Sequence, residues 1–198
     1  MRTEDFARYM GVLYFGSGTT LRRYINRAYR DFNRTLHMDS AVSRQDTVED
    51  CGDYLLARLT DAKDGTTDCR DKDAFDAWHE ASCDELIRRF GERDMFYGHA
   101  QKWVNMTLKY LFTAQGLGLD DIGGIAAWYP FAHMPVDNIV LDALEKDGFS
   151  HPRPNPWSQL DKVGYLAFQK ALRDAYEECP MDVEFMLWRG TGKPTRIR

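Results

Sequence analysis

The segment from Gly98 to Phe112 is apolar around most of its circumference when it is drawn as a helix. At about 100° per residue its polar side chains fall in one narrow line. That line contains Gly98, Lys102, Asn105, Lys109 and Thr113. A helix that is apolar on most sides belongs in a protein interior, so its polar line should border a cleft. The pattern predicts a central buried helix that holds the amine of Lys102 in a cleft.

Length and composition are those of an ordinary globular chain. The 198 residues are 43% hydrophobic and 13% aromatic, which is enough for one good-sized core or two small lobes sharing a groove. No run approaches the roughly 18 apolar residues of a membrane span, so we expect a cytoplasmic protein without a membrane partner. The cysteines form no Cys-x-x-Cys pair. This is typical of reduced thiols, and we expect neither a metal nor a cofactor.

The net charge of −5 counts against nucleic acid as a partner, but the positive charges are unevenly distributed. Between residues 19 and 37, apolar side chains share one helical face and arginines share the other. The apolar face contains Leu21, Ile25, Ala28, Phe32 and Leu36, and the basic stripe contains Arg23, Arg27, Arg30 and Arg34. Such a stripe is usually a solvated face. The alternative is a surface that contacts phosphate.

Helical periodicity recurs along the chain, and no convincing run of β-type alternation occurs, so the sequence predicts an all-α fold. The predicted helices cover residues 19–37, 47–59, 74–90, 98–113, 138–146, 158–178 and 181–188. Residues 61–73 are predicted to be a loop between lobes, and Ser158 is a candidate helix N-cap after a proline cluster. Residues 116–135 form a long irregular stretch rich in glycine and then in aromatic residues, which is typical of functional loops.

Several motifs follow one another between the middle of the chain and Asp137. A helix is expected to end near Gly91, the segment Gly98-His99-Ala100-Gln101-Lys102 follows a turn, and a Val-Asp pair ends at Asp137. This order resembles the helix-hairpin-helix superfamily of DNA glycosylases. In that superfamily a Gly-x-Gly-x-Lys hairpin leads into the helix that carries a catalytic lysine, and a downstream aspartate supplies the catalytic carboxylate. The interval from Lys102 to Asp137, 137 − 102 = 35 residues, is similar to that of the archaeal 8-oxoguanine glycosylase branch. The ending Glu184-Phe-Met-Leu-Trp188 also resembles that branch.

The resemblance implies a two-lobed helical fold with a cleft between the lobes, within a single domain over residues 1–198. One lobe would contain roughly residues 1–60 with the C-terminal helices, and the other residues 74–150. The sequence departs from the family pattern in four ways. The usual Leu-Pro lead-in to the hairpin is absent, Ala100 replaces the second hairpin glycine, Trp103 replaces a small residue or threonine, and Glu184 replaces an aspartate. We expect Trp103 and Glu184 to lie beside the pocket, which leaves the preferred base open.

The resemblance implies Lys102 and Asp137 as catalytic residues. A glycosidic bond breaks with positive charge on the sugar, which a fixed carboxylate stabilises. Desolvation favours the neutral amine, which could attack the sugar C1′ and form a Schiff base; otherwise water attacks and an intact abasic site remains. The candidates for contact with the substrate are Gln101, Asn105, Trp128, Glu184 and Trp188, and those for contact with the DNA backbone are Gly98, His99, Ala100, Arg23, Arg27 and Arg30.

Each of these residues also has an ordinary structural interpretation. Asp137 precedes a predicted helix and is a good N-cap, a role that is compatible with catalysis because the cap fixes the carboxylate. Taken alone, Lys102 would more often be a surface lysine. Trp157 and Trp188 would more often be core aromatics than plates that stack on a base.

The function implied by the resemblance is a DNA glycosylase that acts in base excision or anti-phage defence. It would flip a modified base out of double-stranded DNA, excise it and leave an abasic site. We expect a monomer, and two substrates stay open: 8-oxoguanine, and a phage hypermodified cytosine such as glucosylated hydroxymethylcytosine. One alternative is a helical RNase or nucleic-acid-binding module of a bacterial defence system that excises no base. Another is a helical interaction protein that binds through its acidic surface.

Overall fold

The computed structural model describes residues 2–18, 20–36, 44–67, 69–91, 94–153, 156–189 and 192–197. These residues form the α-helices α1 (Thr3–Phe15), α2 (Arg22–Arg30), α3 (Arg44–Lys63), α4 (Lys72–Phe90), α5 (Tyr97–Gly116), α6 (Asn138–Lys146), α7 (Lys162–Ala175) and α8 (Pro180–Arg189). Short 3₁₀ segments cover Asn33–Thr35, Gly123–Phe131 and Trp157–Gln159. Within the described ranges no strand occurs, and Tyr176 and Arg196 form an isolated antiparallel bridge. The prediction of an all-α fold is confirmed.

Helix α5 is the central element, as its apolar circumference predicts. Every residue from Tyr97 to Phe112 is buried. Helices α2, α4 and α7 and the three-residue segment Trp157–Gln159 pack around it. Its first turn is closed by His99, whose Nδ1 accepts the backbone N–H of Phe96 at 3.2 Å. Burial on all sides makes α5 a rigid support for any side chain that it directs into a cavity.

Helix α2 is shorter than the predicted helix 19–37. It ends at Arg30, and a 3₁₀ segment follows from Asn33. Asp31 follows the last residue of the helix, and its carboxylate accepts hydrogen bonds from Arg27 and Tyr110. The predicted ends at Thr19 and His37 lie outside the described residues. The apolar face of the prediction is confirmed, because all five of its residues are buried.

Helix α1 was not predicted from the sequence. Its apolar residues Phe6, Tyr9, Met10 and Leu13 have helical spacing, but each is more than half exposed. The spacing was therefore a usable signal for a helix, and not a signal for a buried face. Tyr14 and Phe15, at the end of α1, make edge contacts with Tyr110 of α5.

The remaining helix predictions differ from the structure mainly at their ends. Helix α6 has the predicted bounds, whereas α3 continues to Lys63 and α4 begins at Lys72, which shortens the predicted loop 61–73. The prediction of Ser158 as a helix N-cap was wrong. Ser158 lies in a 3₁₀ segment, and the cap of α7 is Asp161, whose carboxylate accepts the N–H of Gly164 at 2.7 Å. Among the described helices, none is long and apolar enough to cross a membrane.

Candidate functional site

Lys102 and Asp137 meet in a cavity of about 960 Å³. The Nζ atom of Lys102 lies 2.5 Å from Oδ2 of Asp137, and the two side chains are 5% and 23% exposed. Ligand pockets in proteins have volumes of about 300–1,000 Å³, so this cavity is large enough for a small organic group. The two residues therefore form an ion pair that a ligand in the cavity can reach through Asp137.

Asp137 is held by the helix that it begins. Its Oδ1 atom accepts the backbone N–H of Val140 at 2.9 Å, and its Oδ2 atom faces Lys102. An aspartate at a helix N-terminus is stabilised by the free N–H groups and by the helix dipole. One oxygen of the Asp137 carboxylate therefore caps the helix, and the other pairs with Lys102 in the site.

Two buried glutamines hold the segment that leads into Asp137. Gln101 accepts the N–H of Val136 at 3.2 Å and donates to its carbonyl at 3.0 Å. Gln169 of α7 makes the same pair of bonds with Met134, at 3.1 and 2.8 Å. Each amide thus pairs with a backbone unit as a neighbouring strand would. Because both glutamines are buried in helices, the position of Asp137 is fixed from α5 and α7.

A second ion pair lies two helical turns further along α5. The Nζ atom of Lys109 is 2.6 Å from the carboxylate of Glu184, and both side chains line the cavity. Burial raises the pKa of Glu184 above its ordinary value, and the charge of Lys109 only partly opposes this effect. Lys109 also lies 5.1 Å from the ring centre of Trp188, which is 59% exposed at the cavity. Carboxylate, amine and indole therefore form one wall.

A third polar cluster in the cavity was not identified as a site from the sequence. Asp31 accepts a hydrogen bond from Tyr110 and pairs with Arg27, each at 2.5 Å. Tyr14 of α1 accepts a bond from Arg27 and lies 3.2 Å from the hydroxyl of Tyr110. Burial, followed by the bond to Asp31, raises the pKa of Tyr110. The spacing of Arg27 and Asp31 by four residues was the available signal for this cluster.

The structure separates the predicted substrate contacts into two groups. Glu184 and Trp188 line the cavity, as Lys102 and Asp137 do. Gln101 and Asn105 are fully buried and do not line it; Asn105 donates to Gln101 at 3.1 Å and to the hydroxyl of Tyr165 at 2.8 Å. Their predicted contact with substrate is replaced by a supporting role.

Trp128 and Trp103 also lie away from the cavity. Trp128 is 1% exposed, and its ring lies 4.6 Å from that of Trp78 in the core. Its 3₁₀ segment folds inward, so the indole does not line the cavity in this structure, and its contact with a substrate stays a prediction. Trp103, which we expected beside the pocket, instead donates to the carbonyl of Ile25 at 3.0 Å and packs against α2.

The predicted hairpin contacts with a DNA backbone are covered by other parts of the chain. Gly98, His99 and Ala100 are buried. The N–H of Gly98 donates to the carbonyl of Leu160 at 2.9 Å, so it is not free for a phosphate. These three residues therefore pack inside the protein in this structure, and their contact with a phosphate stays a prediction.

Replacing Gly98 by alanine is expected to destabilise the protein by about 1–3 kcal/mol, a typical cost of overpacking. A Cβ atom at Gly98 would lie 2.1 Å from the backbone oxygen of Trp157, so the backbone must shift. A Cβ atom at Gly116 in the same helix would have no neighbour within 4 Å, and Gly116→Ala is the matched control. Denaturant unfolding measures both variants. Equal stability of the two would contradict this packing.

The arginines of the basic stripe differ in whether an acidic side chain pairs with them. Arg23 pairs with Asp120 at 2.5 Å, and Arg27 pairs with Asp31. Arg30 is exposed and has no ion pair with another described residue. The predicted backbone contacts of Arg23 and Arg27 therefore compete with partners inside the protein, whereas Arg30 is open to solvent.

A buried polar network supports the other end of the Asp137 segment. His133 bonds the hydroxyl of Tyr165 at 2.9 Å and the carboxylate of Asp76 at 2.8 Å, and His79 lies 2.9 Å from Asn105. Burial lowers the pKa of both histidines. For Asp76 burial acts to raise the pKa, but the bonds from His133 and Arg173 outweigh it and lower the pKa. The histidines are therefore neutral at pH 7 in the folded protein.

We expect the protein to lose stability as the pH falls from 6.5 to 5.5. The folded state binds fewer protons than the unfolded state in this window, because an unfolded histidine has a pKa of about 6.5 and both buried histidines have lower values. The stability is complete above pH 6.5 and falls by up to about 1.4 kcal/mol per pH unit for each histidine. Urea unfolding at several pH values measures it. The dependence of stability on pH should be weaker in His79→Gln, and a flat profile in the wild type would contradict the prediction.

The site contains no metal-binding cluster among the described residues, since no group of three or more histidine, cysteine, aspartate or glutamate side chains has suitable geometry. Comparisons of the chain with protein-family models, curated proteins and solved structures gave no match. The functional argument therefore depends on the geometry of the cavity and on the motifs of the sequence.

Proposed function

We propose that this protein is a DNA glycosylase that excises a modified base from double-stranded DNA. The observation that carries the proposal is the ion pair of Lys102 and Asp137 at the wall of a cavity of about 960 Å³. A lysine and a carboxylate at one sugar are the groups that base excision with a covalent intermediate requires. The proposal includes the two-lobed glycosylase fold that the resemblance implies.

Asp137 is assigned the stabilisation of positive charge on the sugar. Its carboxylate is fixed by the cap on Val140 and by the glutamine that holds Val136, so it need not reorganise when charge develops. Its partial exposure, 23% of the side chain, leaves one edge open to a ligand. A fixed anion beside the C1′ atom lowers the energy of the oxocarbenium-like transition state.

Lys102 is assigned the role of nucleophile. When its proton is transferred to the departing base, the free amine forms a bond to C1′ as the glycosidic C–N bond breaks. One proton of the attached amine then moves to O4′ as the C1′–O4′ bond breaks, which opens the sugar ring and gives a protonated Schiff base. Loss of a proton from C2′ of this Schiff base permits β-elimination of the 3′ phosphate. The amine belongs to the fully packed helix α5, so its position is fixed before substrate arrives.

The wall formed by Lys109, Glu184 and Trp188 is assigned to the extruded base. The indole offers a face for stacking, the amine a hydrogen-bond donor and the carboxylate an acceptor. Flipping a base costs a few kcal/mol, which such contacts can offset. Lys109 of this wall lies on the same line of α5 as Lys102, two turns away, and all four residues line one cavity, so one nucleotide can reach both ends of it.

The test is incubation of the pure protein with duplexes that carry 8-oxoguanine or glucosylated hydroxymethylcytosine at one position. We expect alkali-labile sites at that position in one of the two duplexes and none in the unmodified duplex. Absence of abasic sites in both, from a protein that is folded by circular dichroism, would contradict the proposal. Cleavage of RNA in the same preparation would instead favour the helical RNase alternative.

A further inference from the structure

The charges that line the cavity are unequally compensated. The charged lining residues are Asp31, Arg34, Lys102, Lys109, Asp137 and Glu184. Lys102 pairs with Asp137, Lys109 pairs with Glu184, and Asp31 pairs with Arg27. Within the described ranges, Arg34 is the charged lining residue that makes no ion pair. The cavity therefore has one uncompensated positive charge.

Arg34 also differs from the lysines in its exposure. It lies on the 3₁₀ segment Asn33–Thr35 and is exposed, whereas Lys102 and Lys109 are buried. Arg30, four residues earlier, is exposed as well, and it too makes no ion pair with any residue that the structure describes. The lysines thus line the interior of the cavity, and Arg34 lies where the cavity meets solvent.

We propose that Arg34 binds a phosphodiester of the nucleic acid strand whose target base occupies the cavity. This inference rests on the proposed function. A guanidinium presents parallel N–H donors that match two phosphate oxygens, and it stays charged at all physiological pH values. The compensated pairs inside the cavity offer a strand no net charge, so an anionic backbone is attracted to the edge and a base to the interior.

Arg34 differs from Arg22 and Arg23 in its ion pairing. Arg22 pairs with Asp53 and Arg23 with Asp120, so binding of phosphate there would first require loss of an internal partner. Arg34 needs no such exchange with a described residue. Of the basic stripe read from the sequence, the C-terminal part is therefore the phosphate-binding part.

The experiment compares Arg34→Ala, Arg34→Lys and Lys170→Ala in binding to a fluorescent duplex that carries the substrate base. Lys170 is the control for an exposed positive charge outside the cavity, since its side chain on α7 is 75% exposed and pairs with Asp174. We expect Arg34→Ala to weaken binding about tenfold and to reduce the slope of log K against log salt by about one. Arg34→Lys should keep the slope and bind more weakly than the wild type, and Lys170→Ala should match the wild type.

The rate of base excision at saturating protein gives a second measurement. A residue that binds only the backbone should leave this rate within about threefold of the wild type in Arg34→Ala, since uniform binding changes KM and not kcat. Unchanged affinity and salt slope in Arg34→Ala, with excision intact, would overturn the phosphate contact and leave the proposed function standing. An equal loss in Lys170→Ala would also overturn it. A wild-type protein that neither binds nor excises would overturn both proposals.

Discussion

Replacing Asp137 by asparagine is expected to lower the rate of base excision by about 10²–10³, the cost of removing one fixed electrostatic contact to a transition state. The amide carries no negative charge and cannot stabilise a cationic sugar. Asparagine is as good a helix N-cap as aspartate, so α6 should keep its start. Single-turnover release of the modified base, measured with protein in excess, gives the rate directly.

The matched control for this prediction is Asp161→Asn. Asp161 caps α7 by the same contact that Asp137 makes in α6, a carboxylate oxygen accepting the N–H three residues later, but it lies outside the cavity. We expect its excision rate to equal that of the wild type. Thermal unfolding of both variants measures any loss of stability from the broken pair with Lys102. Equal rates in folded Asp137→Asn and wild-type protein would remove Asp137 from the mechanism.

The central part of this fold could be predicted because one helix carries an extreme pattern. An apolar circumference with a single polar line predicts burial of α5 and a cavity beside it, and both are present. The bounds of α6 were also predictable, since Asp137 is a strong N-cap and the following residues alternate with helical period. These features are local in sequence, so the sequence alone contains them.

The positions of several candidate site residues depend on packing between distant segments, which the sequence does not reveal. The 3₁₀ segment from Gly123 to Phe131 folds Trp128 inward against Trp78, and no spacing within the segment reports this. Gly98 is covered by Trp157 and Leu160, about sixty residues away in the sequence. A glycine read as a phosphate contact can thus be a glycine that two segments need for close approach.

Tertiary contacts place the residues of the polar line of α5 in two different environments. Lys102, Lys109 and Thr113 face the cavity, whereas Asn105, on the same line, is fully buried and bonded to neighbouring side chains. The spacing of these residues predicts which side of α5 they occupy, but it does not predict how deeply neighbouring segments bury each one. The sequence also could not predict that α1 forms part of the cavity wall. Its apolar residues indicate a helix, but they stay largely exposed and do not show which part of the protein that helix contacts.

Replacing Lys102 by glutamine is expected to abolish the borohydride-trapped adduct between protein and DNA. Only a primary amine forms the Schiff base that borohydride reduces, and Lys102 is the amine that touches Asp137. The rate of base excision should fall at least about a thousandfold, as when a catalytic nucleophile is removed. Denaturing electrophoresis of the trapped mixture measures the adduct, and alkali treatment measures the abasic sites.

Lys109→Gln separates the nucleophile from a lysine that only binds the base. Lys109 belongs to the same helix, lines the same cavity and is also paired with a carboxylate, so its removal changes the local charge by the same amount. We expect this variant to form the adduct more slowly, because the amine that attacks is still present. Trapping that is lost in Lys109→Gln and kept in Lys102→Gln would assign the Schiff base to Lys109. Abasic sites without trapping in the wild type would assign the attack to water, with Asp137 as the group that orients it.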